Sequence, residues 1–424
     1  MNYFLLILEL FIYVFAIVIT IRKKELALIY LPVLFFANTV IGEHAISAFV
    51  YYGIITGILL FIVVKNTSFL KSNIFAIFLI IYFFVLMGKA GNLGAIRQDL
   101  FNVMWLFFCI PIIPVLYRKY SREQIMKELG QSAFIILVIF ILNTGLSSLT
   151  GFNVYSMYGI TSGILYGNMF ATDFNILAIA LFILFLRALS VRNVLYLGVG
   201  IAALALLSLT LRRSVIGLAV MGLAIAMLLF FIQNIKTALV LGVAMMAGAI
   251  FIVAKTNFIT SFNDRYELRR LDERSLDEEK RLFEYNMIYG DMFVHHRYSA
   301  WFGFGLFNSP GNYGDGTFYD RTLHSDVTSI AHSSGVMGLC LYLVMFTIAF
   351  ATAIRRSTGR TDNLIIIFCL VTFITFTLTG RYTQVGCMLL LMLALQIPSA
   401  LPEYETETED DLEEIAEQGS LSMT

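Results

Sequence analysis

Apolar runs of membrane length follow one another from Tyr3 almost to the end of the chain, and they leave few folds open to it. A helix needs about 20 apolar residues to cross the hydrocarbon core of a bilayer. Runs at 3–21, 26–41, 46–64, 73–89, 99–117, 131–149, 164–187, 193–211, 214–232, 237–254, 329–353, 362–379 and 384–400 meet or approach that length. The expected architecture is an all-α polytopic membrane protein with about 12–13 transmembrane helices. The count turns on the short 26–41 run and on whether the last two runs form one re-entrant unit. Only 14% of the 424 residues are charged and 59% are hydrophobic, which excludes an ordinary soluble domain. The first run is too long for a secretory signal and lacks both a basic start and a small-residue cleavage site, so it reads as a retained helix.

One long polar interruption, Lys255 to Ser329, breaks the series. It is dense in charge from Asp264 to Arg281, turns aromatic and glycine-rich at Trp301-Phe-Gly-Phe-Gly-Leu-Phe307, and closes on Leu323-His-Ser-Asp-Val327. From Ser275 to Asp291 it reads as a helix with Leu276, Leu282, Phe283, Met287 and Ile288 as its apolar stripe. The bias of Lys and Arg toward cytoplasmic short loops orients the chain. Every second connection is basic, from Arg22-Lys-Lys24 to Arg355, Arg356 and Arg360, and these carry 15 basic residues. The intervening short loops carry 5: Lys89, Arg97, Arg212, Arg213 and Arg381. The N-terminus and the long loop are therefore expected outside the cytoplasm.

The chain divides into N-terminal helices at 1–150, central helices with the Arg212–Arg213 turn at 151–254, the polar loop at 255–328, C-terminal helices at 329–400 and a tail at 401–424. The tail holds nine acidic residues and no Lys or Arg, a composition for a solvated, disordered cytoplasmic segment. The stretch 150–163 is a polar and aromatic outside loop, suited to sugar contacts or to an interfacial aromatic belt. All four cysteines lie in apolar runs, so neither a disulfide framework nor a metal-type Cys spacing is visible. No feature points to nucleic acid.

Few groups can carry chemistry. Arg212 and Arg213 sit between two apolar runs on the side that disfavours cations. They either snorkel to lipid phosphates or form a fixed anion site, since guanidinium matches phosphate oxygens bidentately. His324, just before a span, is a histidine that can take a proton from a hydroxyl, with Asp326 beside it to orient it or merely to be solvated. His332 follows on roughly the same helical side if the helix starts that early. His295 and His296 lack acidic or Cys partners at metal spacing. Arg265 and Arg281 read either as ligands for an anion or as members of a solvated helix face. Within spans, Glu9 has no obvious partner and Asp173 stands near Asn175; ionisable groups there are functional candidates.

The order of these features resembles the bacterial O-antigen ligase and polymerase superfamily, multi-span glycosyltransferases that use undecaprenyl-diphosphate-linked sugars. The resemblance rests on Leu209-Thr-Leu-Arg-Arg-Ser-Val-Ile-Gly217, on the loop arginines Arg265 and Arg281, and on Trp301-Phe-Gly-Phe-Gly305. It continues through His324-Ser-Asp326 and Ser334-Gly-Val-Met-Gly338, with Gly163-Ile-Leu-Tyr-Gly-Asn168 to Asn175-Ile-Leu-Ala178 entering the preceding span. It covers roughly residues 160 to 345. The chain departs from the pattern where Arg212 replaces a small residue before the aligned Arg213.

The resemblance implies a GT-C-like membrane enzyme of the bacterial inner membrane, its large loop extracytoplasmic. A lipid-diphosphate donor would be held by Arg213 and Arg281, helped by Arg212 and Arg265. His324 would be the base or positioning group for the acceptor hydroxyl, with Asp326, His332 and Arg381 in support. It implies no metal and no cofactor; glycan donor and acceptor on undecaprenyl diphosphate, flippase and chain-length regulator proteins are the implied partners. A ligase for finished glycan is the neighbouring expectation, and a secondary transporter of an anionic solute or a non-catalytic assembly factor are those from other classes.

Overall fold

A computed structural model describes residues 2–42, 44–89, 93–153, 164–233, 280–317, 322–379 and 384–402, with Thr260, Asn263 and Glu267 as isolated positions. Among them there is no strand, and most are helical. The helices are α1 (Asn2–Lys23), α2 (Leu31–Ile41), α3 (Ala48–Lys65), a single turn α4 (Phe69–Ser72), α5 (Ile74–Met87) and α6 (Leu93–Tyr117). Then come α7 (Arg122–Thr150), α8 (Asn175–Ser190), α9 (Val194–Ser208) and α10 (Arg213–Gln233). Within the long loop lies α11 (Lys280–Tyr289), and after it follow α12 (Asp326–Arg356), α13 (Arg360–Thr379) and α14 (Val385–Leu395).

Local chemistry sets several of the ends. Ser121 accepts the Gln124 N–H at the start of α7 in a Ser-x-x-Gln arrangement, and Gly151 ends that helix in the left-handed region at φ +73°. Asn193 caps α9 through Tyr196 N at 3.2 Å. Seven helices among the described residues are long and apolar enough to cross a membrane, and α5, α9 and α14 are shorter apolar helices. The molecule is thus a multi-pass α-helical membrane protein.

Burial sorts the helices. All of α14, and α8 from Asn175 to Leu189, are buried, matching sequences that are apolar all round. α8 packs against α7, α9 and α10, and α14 against α2, α6, α8 and α13. Gly200 and Gly222 let neighbouring helices close on Phe185 and Phe182 of α8. Around this centre, α1, α3 and α5 turn Phe11, Ile21, Phe49, Val64, Phe84 and Val85 outward. A water-soluble protein does not expose such a surface, and a bilayer requires it.

Two expected runs take other forms. The 26–41 run is a 3-10 turn, Lys24–Tyr30, followed by the 11-residue α2, nearly all of it buried. The last run is the 11-residue α14 with a 3-10 turn, Ile397–Ser399, inside the bundle. The 237–254 run, most of the 150–163 loop and the tail beyond Pro402 lie outside the described residues.

Alternate connections gather at opposite ends. One end holds the ion pairs Lys23–Glu128 (2.6 Å), Lys119–Glu25 (3.0 Å), Arg187–Glu123 (2.7 Å) and Arg122–Asp362 (2.5 Å). There the Arg122 N–H also donates to Leu401 O and the Leu401 N–H to Tyr120 O, both at 3.0 Å. The other end holds Glu9 with His44, the heads of α8 and α10, and the described part of the polar loop from Lys280 on.

Candidate active site

The loop's chemistry is built on α11. Its residue Glu284 is fully buried, on the face shared with Ile288 and Asp291 four and seven residues on. The carboxylate accepts two bonds from one residue: the His324 N–H at Oε2 and His324 Nδ1 at Oε1, each at 3.0 Å. With the carboxylate ionised, Oε1 can only accept, which assigns the proton to Nδ1 and leaves Nε2 as the basic nitrogen of the ring. The imidazole stays half-exposed, its side chain 34% accessible against 0% for Glu284. A buried carboxylate thus sets both the orientation and the tautomer of a histidine that faces outward, the arrangement a general base needs.

The next residues anchor this pair. Ser325 is buried and donates from Oγ to Thr377 O at 3.1 Å, so the Tyr285 hydroxyl, 2.5 Å from the same Oγ, is the donor to it. α11, the start of α12 and the end of α13 are therefore tied at one point. Asp326, fully buried at the first turn of α12, lies within electrostatic reach of Cys387 at the head of α14.

His332 has a different place. It is fully buried, with its ring stacked on Phe304 at 5.3 Å and flanked by Tyr298 and Tyr313. Nε2 donates to Asn312 O at 3.1 Å, so His332 pins the glycine-rich loop to α12. The loop is also strapped through its backbone: Phe304 N donates to His332 O at 2.7 Å and Val336 N to Ala300 O at 2.9 Å. Here the two glycine motifs meet. Gly303 (φ +71°) would place a β-carbon 2.6 Å from His332 O, and Gly335 (φ +68°) would drive one into the Trp301 carbonyl. Gly335 also interrupts the helical backbone of α12, opening its carbonyls and amides to the strap.

Farther along the loop, buried Asp291 accepts the Gly314 N–H at 2.7 Å and pairs with Arg297, whose guanidinium reaches Asp315 at 2.8 Å. Hydrogen bonding from Arg297 holds the exposed Asp315 carboxyl below the usual range. His295 and His296 are exposed in this turn. Among the described residues, no group of three His, Cys, Asp or Glu side chains could hold a metal ion.

The arginine pair stands at the head of α10. Leu211, at φ +52°, reverses the chain, and α10 starts at Arg213, with Arg213 exposed and Arg212 half-buried. Cations at a helix N-terminus oppose the helix dipole, and an anion bound beside them would relieve that. Arg212 lies within electrostatic reach of Asp173, and neighbouring Thr172 accepts from Gln384 Nε2 at 3.2 Å. Gln384 precedes α14 on the end of the bundle where α13 delivers Thr377 to Ser325. The arginine turn and the histidine site therefore share one end.

Compared with known proteins, the chain matches no protein-family model, and no curated protein matches it.

Arg265 and Arg381 lie outside the described residues, as does the side chain of Arg281; the backbone at Arg281 stands one turn before Glu284 on α11. Sequence reasoning singled out His324 and Asp326 and passed over Glu284, Tyr285 and Ser325. A signal for Glu284 was present: it is a carboxylate in phase with Ile288 on a short amphipathic helix. Glu9, which showed no partner in the sequence, takes His44 Nδ1 at 2.6 Å and the Ala45 and Ile46 N–H groups at 2.9 and 2.7 Å.

Proposed function

We propose that the protein is a polymerase of undecaprenyl-diphosphate-linked oligosaccharide repeat units in O-antigen, capsule or exopolysaccharide synthesis. It would act on the extracytoplasmic face of the bacterial inner membrane. The observation that carries this reading is the half-exposed His324 imidazole held through Nδ1 by buried Glu284, on the helix that carries Arg281.

In this proposal the acceptor hydroxyl gives its proton to His324 Nε2 as its oxygen bonds to C1 of the donor sugar. The bond from C1 to the diphosphate oxygen breaks with its electron pair, and undecaprenyl diphosphate leaves. Negative charge grows on that leaving group, and preset guanidiniums from Arg213 and Arg281, helped by Arg212 and Arg265, stabilise it. A single displacement of this kind inverts the anomeric centre. Asp326 and His332 support the histidine segment and its loop; Arg381 is a further cation for the diphosphate. An anion transporter is less well supported, because the polar cavity described below presents the carboxylates of Asp99 and Asp173.

The test is glycan chain length on a gel. A deletion strain is complemented with wild type, His324→Ala or Arg213→Ala at matched membrane expression. Loss of polymer to single repeat units in both variants is the expected result. Long polymer retained on its lipid carrier indicates the ligase instead, and unchanged glycan in both variants removes the catalytic reading.

A further inference from the structure

At the same end of the bundle as the histidine site, a half-open polar cavity of about 250 Å³ lies between α2, α3, α6, α8 and α14. Its lining is not that of a packing defect. Asn38, Thr39, Gln98, Asp99, Asn102 and Asp173 line it, together with Tyr13, Tyr51 and Tyr52. His44, at the rim, is held in place by buried Glu9, which itself is braced by two backbone N–H groups. So many polar groups among membrane helices are costly unless something hydrogen-bonds to them.

The chemistry selects the occupant. Among the described residues two carboxylates and no Lys or Arg line the cavity, with Arg212 acting on Asp173 from outside the lining, so the lining itself favours a neutral group over a phosphate or carboxylate. An ammonium would use only the acceptors and leave the amide donors of Asn38, Gln98 and Asn102 idle. A group that donates and accepts at each position satisfies both sets, and that group is a hydroxyl. Tyrosine combines an apolar ring with a hydroxyl, a pairing that suits the mixed C–H and O–H surface of such a ligand. Ordinary small-molecule sites hold about 300–1,000 Å³, so this smaller cavity suits one ring rather than several.

We propose that this cavity binds one neutral, hydroxyl-rich sugar ring. Cys387 lines it and lies within electrostatic reach of Asp326, two residues after His324, so the bound sugar would sit next to the histidine site. That this sugar belongs to a glycan undergoing extension rests on the proposed function; the binding itself rests on the cavity alone.

Trp105 provides the readout, because it packs on Tyr52 at 5.4 Å and Tyr51 at 6.2 Å, and Trp301 is the only other tryptophan. The full chain carrying Trp301→Phe, in lipid nanodiscs, is titrated with glucose, galactose, rhamnose and N-acetylglucosamine and with the 1-phosphate of each. A saturable change in Trp105 emission is expected for at least one neutral sugar, with its phosphate bound about tenfold or more weakly. Asn102→Ala and the exposed-site variant Gln98→Ala each weaken binding about tenfold, by removing hydrogen bonds the sugar needs, while their melting temperatures stay near the parent's. A flat titration with all four sugars, equal or tighter binding of the phosphates, or full affinity in both cavity variants overturns the proposal. Saccharide binding alongside unchanged glycan in the His324 variant would remove the polymerase and keep the sugar site; the opposite pair of results would do the reverse.

Discussion

Glu284 illustrates how one side chain changes the meaning of another. A loop histidine alone is a solvated base of no special competence, but a buried carboxylate that accepts from both its N–H and its Nδ1 removes its freedom of rotamer and tautomer. Glutamine at this position can accept from only one of the two groups, since its amide nitrogen meets the other donor. Glu284→Gln is therefore expected to slow glycan polymerisation by about 10²-fold or more. Glu284→Asp, which keeps both acceptors on a shorter arm, recovers part of the rate. Incorporation of lipid-linked repeat units by purified protein measures both. A wild-type rate in the glutamine variant would show that the carboxylate does not orient a base.

Among the elements, α12 does two jobs in one helix. Beyond Gly335 it runs as an apolar span, and before it the helix carries Asp326 and His332 to the loop. The break at Gly335 gives the Trp301–Phe304 segment backbone partners that a continuous helix would keep to itself. Gly335→Ala forces a β-carbon into the Trp301 carbonyl in a backbone region that only glycine adopts easily, a strain of about 1–3 kcal/mol. The detergent-solubilised variant should melt several degrees lower than wild type, and Gly303→Ala should behave alike. If both melt as wild type does, the strap is not part of the folded state's stability. In the sequence these two glycines were separate, weak motifs, and the feature that gives them meaning is their contact.

Across the whole molecule, the proposed chemistry needs the loop end to face away from the cytoplasm. In a Cys340→Ser background, whose other three cysteines are buried, His295→Cys should react with a membrane-impermeant thiol reagent in intact cells. Lys65→Cys, at the opposite end, should react only after the membrane is opened. The reverse pattern would place the site in the cytoplasm and remove the extracytoplasmic polymerase.

Much of this protein's plan is local and could be read along the chain. Hydropathy over some twenty residues decides whether a segment can cross a bilayer, so α1, α3, α6, α7, α8, α10, α12 and α13 lie close to where the apolar runs predict them. Capping by Ser121 and Gly151 is local in the same way. Other features depend on which helix meets which. Hydropathy cannot distinguish a lipid-facing helix from a buried one, because lipid and protein interior are equally apolar; the centrality of α8 and α14 and the buried 3-10 turn at Lys24–Tyr30 are products of packing. The same holds for polar pairs. Glu284 meets His324 across 40 positions and Glu9 meets His44 across 35, and neither spacing carries a local signal. A bilayer imposes its demand on each segment separately, whereas a site is made of segments that only the folded bundle brings into contact.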